Sequence, residues 1–158
     1  LQVFAHMESF DTILAGKPGA LVDAIDSIGP KRELIIAAKK SGVPVVSAMG
    51  AALKRDASAL RAADLFESRH CHLARVLRKQ LRQRGITGGV RCVYSEEITG
   101  GLDSSDDEDA AEIQLGEEEA VRRGRPRRTL GSLPTITGIA GLLVAHEVLR
   151  LLCGEFWD

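Results

Sequence analysis

Two aspartates follow a short apolar run in the stretch VDAIDSIGPK. Asp23 ends the run, and Asp26 lies three residues later, directly before Ser27 and a helix-forming segment. Two carboxylates beside a helix N-terminus can hold a magnesium ion whose other ligands are waters and substrate phosphates. Asp26 or Ser27 can equally cap the helix, because both side chains accept hydrogen bonds from free helical amides. These residues alone leave metal binding and helix capping open.

Strand and helix patterns alternate around the aspartates. Buried strands are predicted where the sequence reads GALVDAI, VPVVSAM and VRCVYS, because each segment is short, apolar and bounded by turn-forming or polar residues. The segment ALRAADL predicts a weaker strand or an irregular stretch leading into the next helix. Each strand is therefore short, as expected for the interior of an α/β sheet.

Three helices are predicted between and after these strands. The first runs from Pro30 to Ser41, the second from His72 to Arg84, and the third from about Thr137 to Leu152. Strands and helices that alternate at this spacing indicate an α/β fold with a doubly wound, mostly parallel, Rossmann-like sheet. Ligands bind such sheets at the carboxyl ends of the strands. We therefore expect Asp23 and Asp26 at the ligand-binding edge.

A charged tract interrupts this alternation. Nine acidic residues and no basic one lie between Asp103 and Glu119, and five arginines follow between Val121 and Arg128. The tract has too few apolar side chains to offset the entropy of ordering it, so residues 103–128 are predicted to be a disordered insertion within a single domain of residues 1–158. Both a solvated loop and an interaction tail fit this composition.

The predicted helix from His72 to Arg84 has an apolar face and a basic face. A basic stripe without acidic residues can follow a phosphate backbone, although a solvated surface explains it equally well. No cluster of aromatic side chains offers a stacking platform for bases. The inward positions are Leu73, Val76, Leu77 and Leu81, and the basic positions are Arg75, Arg78, Lys79 and Arg82.

The cysteines indicate the redox compartment, and the composition of the last helix indicates whether the chain spans a membrane. The cysteines are odd in number and widely spaced, which suggests neither a disulfide framework nor a zinc site and fits a reducing compartment such as the cytoplasm. The apolar segment from Leu133 to Cys153 contains His146, Glu147 and Arg150, which a lipid-spanning helix rarely tolerates. We therefore predict no membrane span and a buried helix in a soluble protein.

Five segments in order resemble one family of enzymes. They are VDAIDSIGPK, VPVVSAMGAALKRDASALRAADL, CHLARVLRKQLRQRGI, VYSEE and TLGSLPTITGIAGLLVAHEVL. Together they are similar to the bacterial and organellar tRNA threonylcarbamoyladenosine dehydratases, which belong to the wider group of ThiF-, MoeB- and ubiquitin-activating-type adenylating enzymes. The segments cover nearly all of the chain except the acidic insertion.

The resemblance implies an ATP-dependent ligase-type reaction on tRNA. The carboxylate of a threonylcarbamoyl group on adenosine is adenylated, and the activated side chain then closes into a ring with loss of water. By resemblance, Asp26 is the catalytic residue near magnesium and the nucleotide phosphates. Asp23 starts the same motif, where it either helps to bind the nucleotide or only supports the turn. Relatives carry a glycine-rich turn followed by Asp-Pro-Thr, and Gly50 with Asp56-Ala57-Ser58 matches it here. Ser27 beside Asp26 and Lys54 in that loop are further candidates for nucleotide binding, although Lys54 and Arg55 also fit a pair of solvated basic side chains.

A phosphate cradle is absent from the sequence. The 158 residues contain neither a Gly-x-Gly-x-x-Gly turn nor a Walker-type Gly-x-x-x-x-Gly-Lys. In the family this cradle lies in the N-terminal half, and the chain begins at Leu1, so we expect a C-terminal part of a longer adenylating domain that is inactive by itself. A relative that activates a ubiquitin-like or sulfur-carrier protein, and a non-catalytic α/β remnant that binds a partner, are the alternatives.

Several further properties are implied by the resemblance. Relatives are homodimers, and the apolar final helix is a candidate for such an interface. Sulfur-transfer or redox proteins are possible partners besides tRNA. The acidic insertion suggests a eukaryotic source, which leaves the mitochondrion or plastid open as alternatives to the cytoplasm.

Overall fold

The fold is an α/β sandwich, seen in a computed structural model that describes residues 7–99 and 131–154. The predicted insertion at 103–128 lies outside the described residues. Two short 3-10 helices, Ala57–Ala59 and Leu65–Glu67, flank the third strand. The main elements in chain order are α1 (Met7–Leu14), β1 (Leu21–Asp23), α2 (Ile28–Lys40), β2 (Val45–Ala48), β3 (Leu60–Asp64), α3 (His72–Gln83), β4 (Arg91–Ser95) and α4 (Pro134–Cys153).

The four strands form one sheet in the order β1-β2-β4-β3. The pairs β1–β2 and β2–β4 are parallel, whereas β3 runs antiparallel to β4 at one edge. The predicted mostly parallel sheet is thus confirmed, and the segment ALRAADL forms a regular strand rather than an irregular stretch. In the first pair, Asp23 lies opposite Ser47, which brings two polar side chains together at the ends of the strands.

Helices cover both faces of the sheet, as a doubly wound fold requires. Neighbouring residues of a strand point to opposite faces, so Val45 packs with α2 and α3 while Val46 packs with α4. The same alternation places Cys92 in the first cluster and Val93 in the second. The first cluster is the larger core and includes Ile35, Leu65, Leu77 and Leu81, each fully buried.

The long last helix differs from the prediction that it is buried. Its buried residues are Ile136, Val144 and Glu147 only, whereas Leu142 on the opposite side is 71% exposed. A helix on a four-stranded sheet covers it with one face, and the other apolar face of α4 has no partner among residues 7–99 and 131–154. Apolar residues surround the whole helix in sequence, so the pattern did not indicate which side is covered.

Among the described residues, α4 is the one helix that is long and apolar enough to cross a membrane, judged by length and composition alone. This is weak evidence, because the core helices of soluble proteins meet the same criteria. The buried carboxylate of Glu147 accepts a hydrogen bond from Arg91 Nε at 2.5 Å, which ties the helix to β4. The predicted absence of a membrane span remains a prediction.

The three cysteines have free thiols in very different surroundings. Burial is the main cause that raises the pKa of the Cys92 thiol in β4 to about 12. Burial also raises the pKa of Cys71, directly before α3, while Cys153 near the end of α4 is exposed.

We predict that a disulfide reagent at pH 8 modifies Cys153 quickly and leaves Cys92 intact, because the thiolate is the reactive species and a raised pKa keeps the thiol protonated. Timed labelling followed by peptide mass spectrometry measures both rates. The Cys153→Ser variant should lose the fast phase, and Cys92 should react only after denaturant is added. Labelling of Cys92 in the folded protein at the rate of Cys153 would contradict this account.

Candidate active site at the carboxyl edge of the sheet

Three parallel strands end at the same edge of the sheet. β1 ends at Asp23, β2 at Ala48 and β4 at Ser95, and the segments that follow them form one rim. The two segments with predicted nucleotide-binding residues, after β1 and after β2, both start from this rim. It is the place where α/β sheets bind ligands.

Asp23 lies in the core beneath the rim and not on its surface. Its carboxylate is fully buried, and Oδ2 lies 2.7 Å from Lys31 Nζ and 2.6 Å from Ser47 Oγ. Its other oxygen, Oδ1, accepts a hydrogen bond from the backbone amide of Ile25 at 3.0 Å. With both oxygens engaged, Asp23 supports the turn after β1 and offers no free oxygen to a ligand. The sequence did not reveal this, because a lysine in a helix is ordinarily exposed.

Asp26 is exposed at the same turn, three residues further on. No hydrogen bond joins its carboxylate to the described residues. Ser27 occupies the N-cap position of α2, with an extended backbone, but its side chain forms no capping hydrogen bond. Neither residue therefore caps the helix in this structure, and the carboxylate of Asp26 stands available at the carboxyl end of β1.

The loop after β2 is fastened to the end of β4. The buried Lys54 donates from Nζ to the carbonyl oxygen of Glu97 at 2.5 Å. The Glu97 carboxylate accepts from the backbone amides of Asp56 at 2.9 Å and Arg55 at 2.7 Å, and these two bonds hold the pKa of Glu97 below its usual value. The predicted nucleotide ligand Lys54 thus has its ammonium engaged, whereas Gly50 is exposed with open space around it.

Sequence reasoning missed Glu97. The residue follows β4 at the same carboxyl edge that drew attention to Asp26, so the same positional rule would have found it. Its neighbour across the loop, Asp56, accepts hydrogen bonds from the side chain and backbone of Ser58, and these bonds lower the Asp56 pKa. The Asp-Ala-Ser sequence therefore closes its own turn without the proline that relatives carry.

One cavity opens beside this fastened loop, and a smaller one lies at the start of α3. The larger, about 490 Å³, lies among the loop after β2, the residues that follow β4 and those that precede α4, and Lys54, Glu97 and Gly131 are among its lining residues. Leu53 on its wall has a left-handed backbone with φ of 61°, a conformation that costs energy for a leucine. Its amide donates to the Gly131 carbonyl at 2.9 Å, so the strained residue connects the loop to the segment before α4.

The smaller cavity, about 160 Å³, lies at the start of α3. It is lined by His70, Cys71, His72, Arg75, Arg78 and Ile98. Asp26 lines neither cavity. The structure therefore places the predicted residues on one rim but does not gather Asp26, Gly50 and Lys54 into a single pocket.

The four basic residues predicted on α3 differ in their contacts and exposure. Arg78 Nη1 donates to the Ser68 carbonyl at 2.8 Å and to the Ser68 hydroxyl, and burial lowers the pKa of this half-buried arginine. Arg82 is exposed with its guanidinium 5.4 Å from the centre of the Phe66 ring. Arg75 contacts His72 Nδ1 at 3.1 Å, and Lys79 is exposed. Three of the four predicted RNA contacts are thus accessible, and Arg78 serves the protein itself.

The described residues contain no group of three or more His, Cys, Asp or Glu side chains that could hold a metal ion. Asp26 brings a single exposed carboxylate. Magnesium is often bound by one or two carboxylates together with waters and substrate phosphates, so Asp26 suits one position in such a shell. This part of the chain does not form a complete metal site by itself.

No protein-family model matches the chain. Among curated proteins, tRNA threonylcarbamoyladenosine dehydratase 2 of Saccharomyces cerevisiae is 34% identical over an alignment of 140 residues that covers 81% of this chain and 30% of the relative. The dehydratase 1 of the same yeast is 32% identical over 150 residues, covering 92% of this chain and 34% of the relative. The Bacillus subtilis enzyme is 29% identical over 154 residues, covering 96% of this chain and 58% of the relative.

Solved structures agree on the fold. The E. coli tRNA N6-threonylcarbamoyladenosine dehydratase, solved in complex with ATP, superposes with a TM-score of 0.73 at 20% identity. The match covers 100% of this chain and 58% of that one, and the same enzyme in complex with AMP gives 0.72. The chain thus spans less than two thirds of each of these relatives. In sequence and in fold, the chain is similar to the C-terminal portion of the tRNA threonylcarbamoyladenosine dehydratases.

Proposed function

We propose that the protein containing this chain is an ATP-dependent tRNA-modifying enzyme, which adenylates and then cyclises the threonylcarbamoyl group of threonylcarbamoyladenosine. The observation that carries the proposal is the match of 81–96% of the chain to three dehydratases of that name. In the first step a carboxylate oxygen of the substrate attacks the α-phosphorus of ATP and pyrophosphate leaves. In the second the side chain closes on the activated carbonyl carbon and AMP leaves, so the net change is loss of water.

Within this proposal the chain supplies one carboxylate and the walls of the rim. Asp26 is the residue we assign to magnesium and the nucleotide phosphates, because its carboxylate is exposed and uncommitted at the carboxyl end of β1. Magnesium, when bound, neutralises charge that develops on the phosphates. Gly50 leaves space for a ligand beside the loop, and Lys54 fixes that loop through Glu97. The phosphate cradle comes from residues outside this chain, so the isolated chain should not exchange ATP with pyrophosphate.

We expect Asp26→Asn in the full-length protein to reduce ATP–pyrophosphate exchange by orders of magnitude, equivalent to about 3 kcal/mol or more of lost transition-state stabilisation. The substitution keeps the side chain's size and removes its charge. Because Asp26 makes no hydrogen bond to the described residues, the free energy of unfolding should change by less than about 1 kcal/mol.

The control for this experiment is Asp11→Asn, at an exposed aspartate in α1. It should leave exchange unchanged. High magnesium should partly restore the Asp26→Asn activity. Wild-type exchange by Asp26→Asn at limiting magnesium would remove the assignment.

We also propose that the exposed part of the basic stripe contacts tRNA. The double variant Lys79→Ala/Arg82→Ala should weaken tRNA binding and reduce the slope of log affinity against log salt by about one for each phosphate that is no longer neutralised. Filter binding across a salt series measures both quantities. Lys17→Ala/Lys40→Ala, two exposed lysines elsewhere, is the charge-matched control. Equal effects from both double variants would mean that only net charge matters.

A homodimer is proposed through the uncovered face of α4. Leu142 and Leu149 are 71% and 50% exposed there, and a second copy would bury them. Leu142→Asp should convert a dimer into a folded monomer in sedimentation velocity, because Leu142 makes no contribution to the sheet core. Thr135→Asp, on an exposed residue of the same helix, is the control for added charge. A wild-type monomer, or binding of the wild type to lipid vesicles that Leu142→Asp abolishes, would reject the dimer.

A further inference from the structure

A cluster of three fully buried polar side chains lies under the rim. Asp23 ends β1, Ser47 lies in β2 and Lys31 lies in α2, and none of the three side chains is accessible to solvent. Asp23 Oδ2 is 2.7 Å from Lys31 Nζ and 2.6 Å from Ser47 Oγ. An ion pair in the interior of a small sheet therefore joins three elements at the point where the rim begins.

The ion pair also holds the peptide groups that precede Asp26. The Ile25 amide donates to Asp23 Oδ1 at 3.0 Å, and the Ile25 carbonyl accepts from Lys31 Nζ at 3.1 Å. The acid and the base thus hold the amide and the carbonyl of one residue. Asp26 follows directly, so its Cα position is set by a residue whose two backbone polar groups are both fixed.

Stability alone gives a weak reason for this arrangement. Removing two charges from water is costly, and apolar side chains of similar volume often replace a buried ion pair without loss of stability. Apolar residues could not bind the backbone amide and the backbone carbonyl of Ile25, whereas the pair binds both. Because Lys31 and Asp23 also neutralise each other, the unpaired charge in this turn is that of Asp26.

We infer that the Asp23–Lys31 pair, supported by Ser47, is a positioning unit that fixes the turn after β1 and thereby aims the Asp26 carboxylate at the rim. Lys31 and Ser47 are then positioning residues, which act on a ligand only through Asp23 and the turn that carries Asp26. The functional half of this inference rests on the proposed role of Asp26. The conformational half depends only on the contacts of the turn.

The test uses the full-length protein with the double variant Asp23→Asn/Lys31→Met. Asparagine keeps an oxygen for the Ile25 amide and methionine keeps most of the lysine's length, so both charges are removed with little change in volume. Hydrogen exchange of a peptide covering residues 22–28 reports on the turn without any substrate. ATP–pyrophosphate exchange across a magnesium titration reports on Asp26.

We expect the double variant to remain folded, to exchange the 22–28 peptide faster, and to lose about tenfold or more in activity or in apparent magnesium affinity, as supporting residues of metal ligands commonly do. Glu147→Gln, which removes a charge from the ion pair between Arg91 and Glu147, should leave exchange of the 22–28 peptide unchanged. If Glu147→Gln accelerates that peptide equally, the effect is general loosening and the inference is overturned.

Unchanged exchange of the 22–28 peptide in the folded double variant also overturns the inference, whatever happens to activity. Should the double variant fail to fold, Ser47→Ala takes its place, because it removes one hydrogen bond to Asp23 without leaving a charge unpaired; the same two outcomes then decide. Full activity of Asp26→Asn would reject the proposed role of Asp26 instead, and the exchange measurement would still decide whether the pair holds the turn.

Discussion

The buried contact between Asp23 and Lys31 is the constraint around which the ligand edge of this sheet is arranged. Each charge is surrounded by protein, so separation would leave an unpaired ion in a medium of low polarity, at a cost of several kcal/mol. The pair can therefore exist only if β1 and α2 keep their relative positions, and the hydrogen bond from Ser47 connects β2 to the same carboxylate. The turn that carries Asp26 connects two of these elements, and the pair binds the amide and the carbonyl of Ile25 within it.

A second set of bonds does the same for the neighbouring loop. Glu97 holds the amides of Arg55 and Asp56 with its carboxylate, while Lys54 holds the carbonyl of Glu97. In both places a charged side chain forms hydrogen bonds to backbone groups of a loop, so these bonds occupy its charged group. Charge-assisted bonds of this kind are among the stronger hydrogen bonds in proteins. The carboxylate of Asp26, by contrast, is exposed at the rim and makes no hydrogen bond to the described residues.

Sequence patterns predicted the strands, the last three helices and the position of the rim, because short β-branched runs and the 3.6-residue period depend on local chemistry. They did not predict α1 at Met7–Leu14. They did not predict that Lys31 would turn inward, because a lysine on a helix is ordinarily exposed and only the neighbouring Asp23 makes its burial tolerable. Arg78 shares its spacing with basic neighbours, yet its guanidinium binds Ser68 ten residues away. The sequence also did not predict which face of α4 is exposed, because apolar residues lie on all sides of the helix and any of these sides could pack on the sheet.

The sheet itself indicates where the remaining machinery must meet this chain. Within the described residues β1 pairs on one side only, with β2, and its other edge carries the unpaired amides and carbonyls of an edge strand. Asp26 follows this same strand. A nucleotide held by Asp26 would therefore lie beside the open edge, where a further strand and its glycine-rich turn would fit. In the function we propose, the uncommitted carboxylate and the open edge belong to one arrangement: this chain supplies the charge of Asp26, and a segment paired with β1 would supply the phosphate cradle.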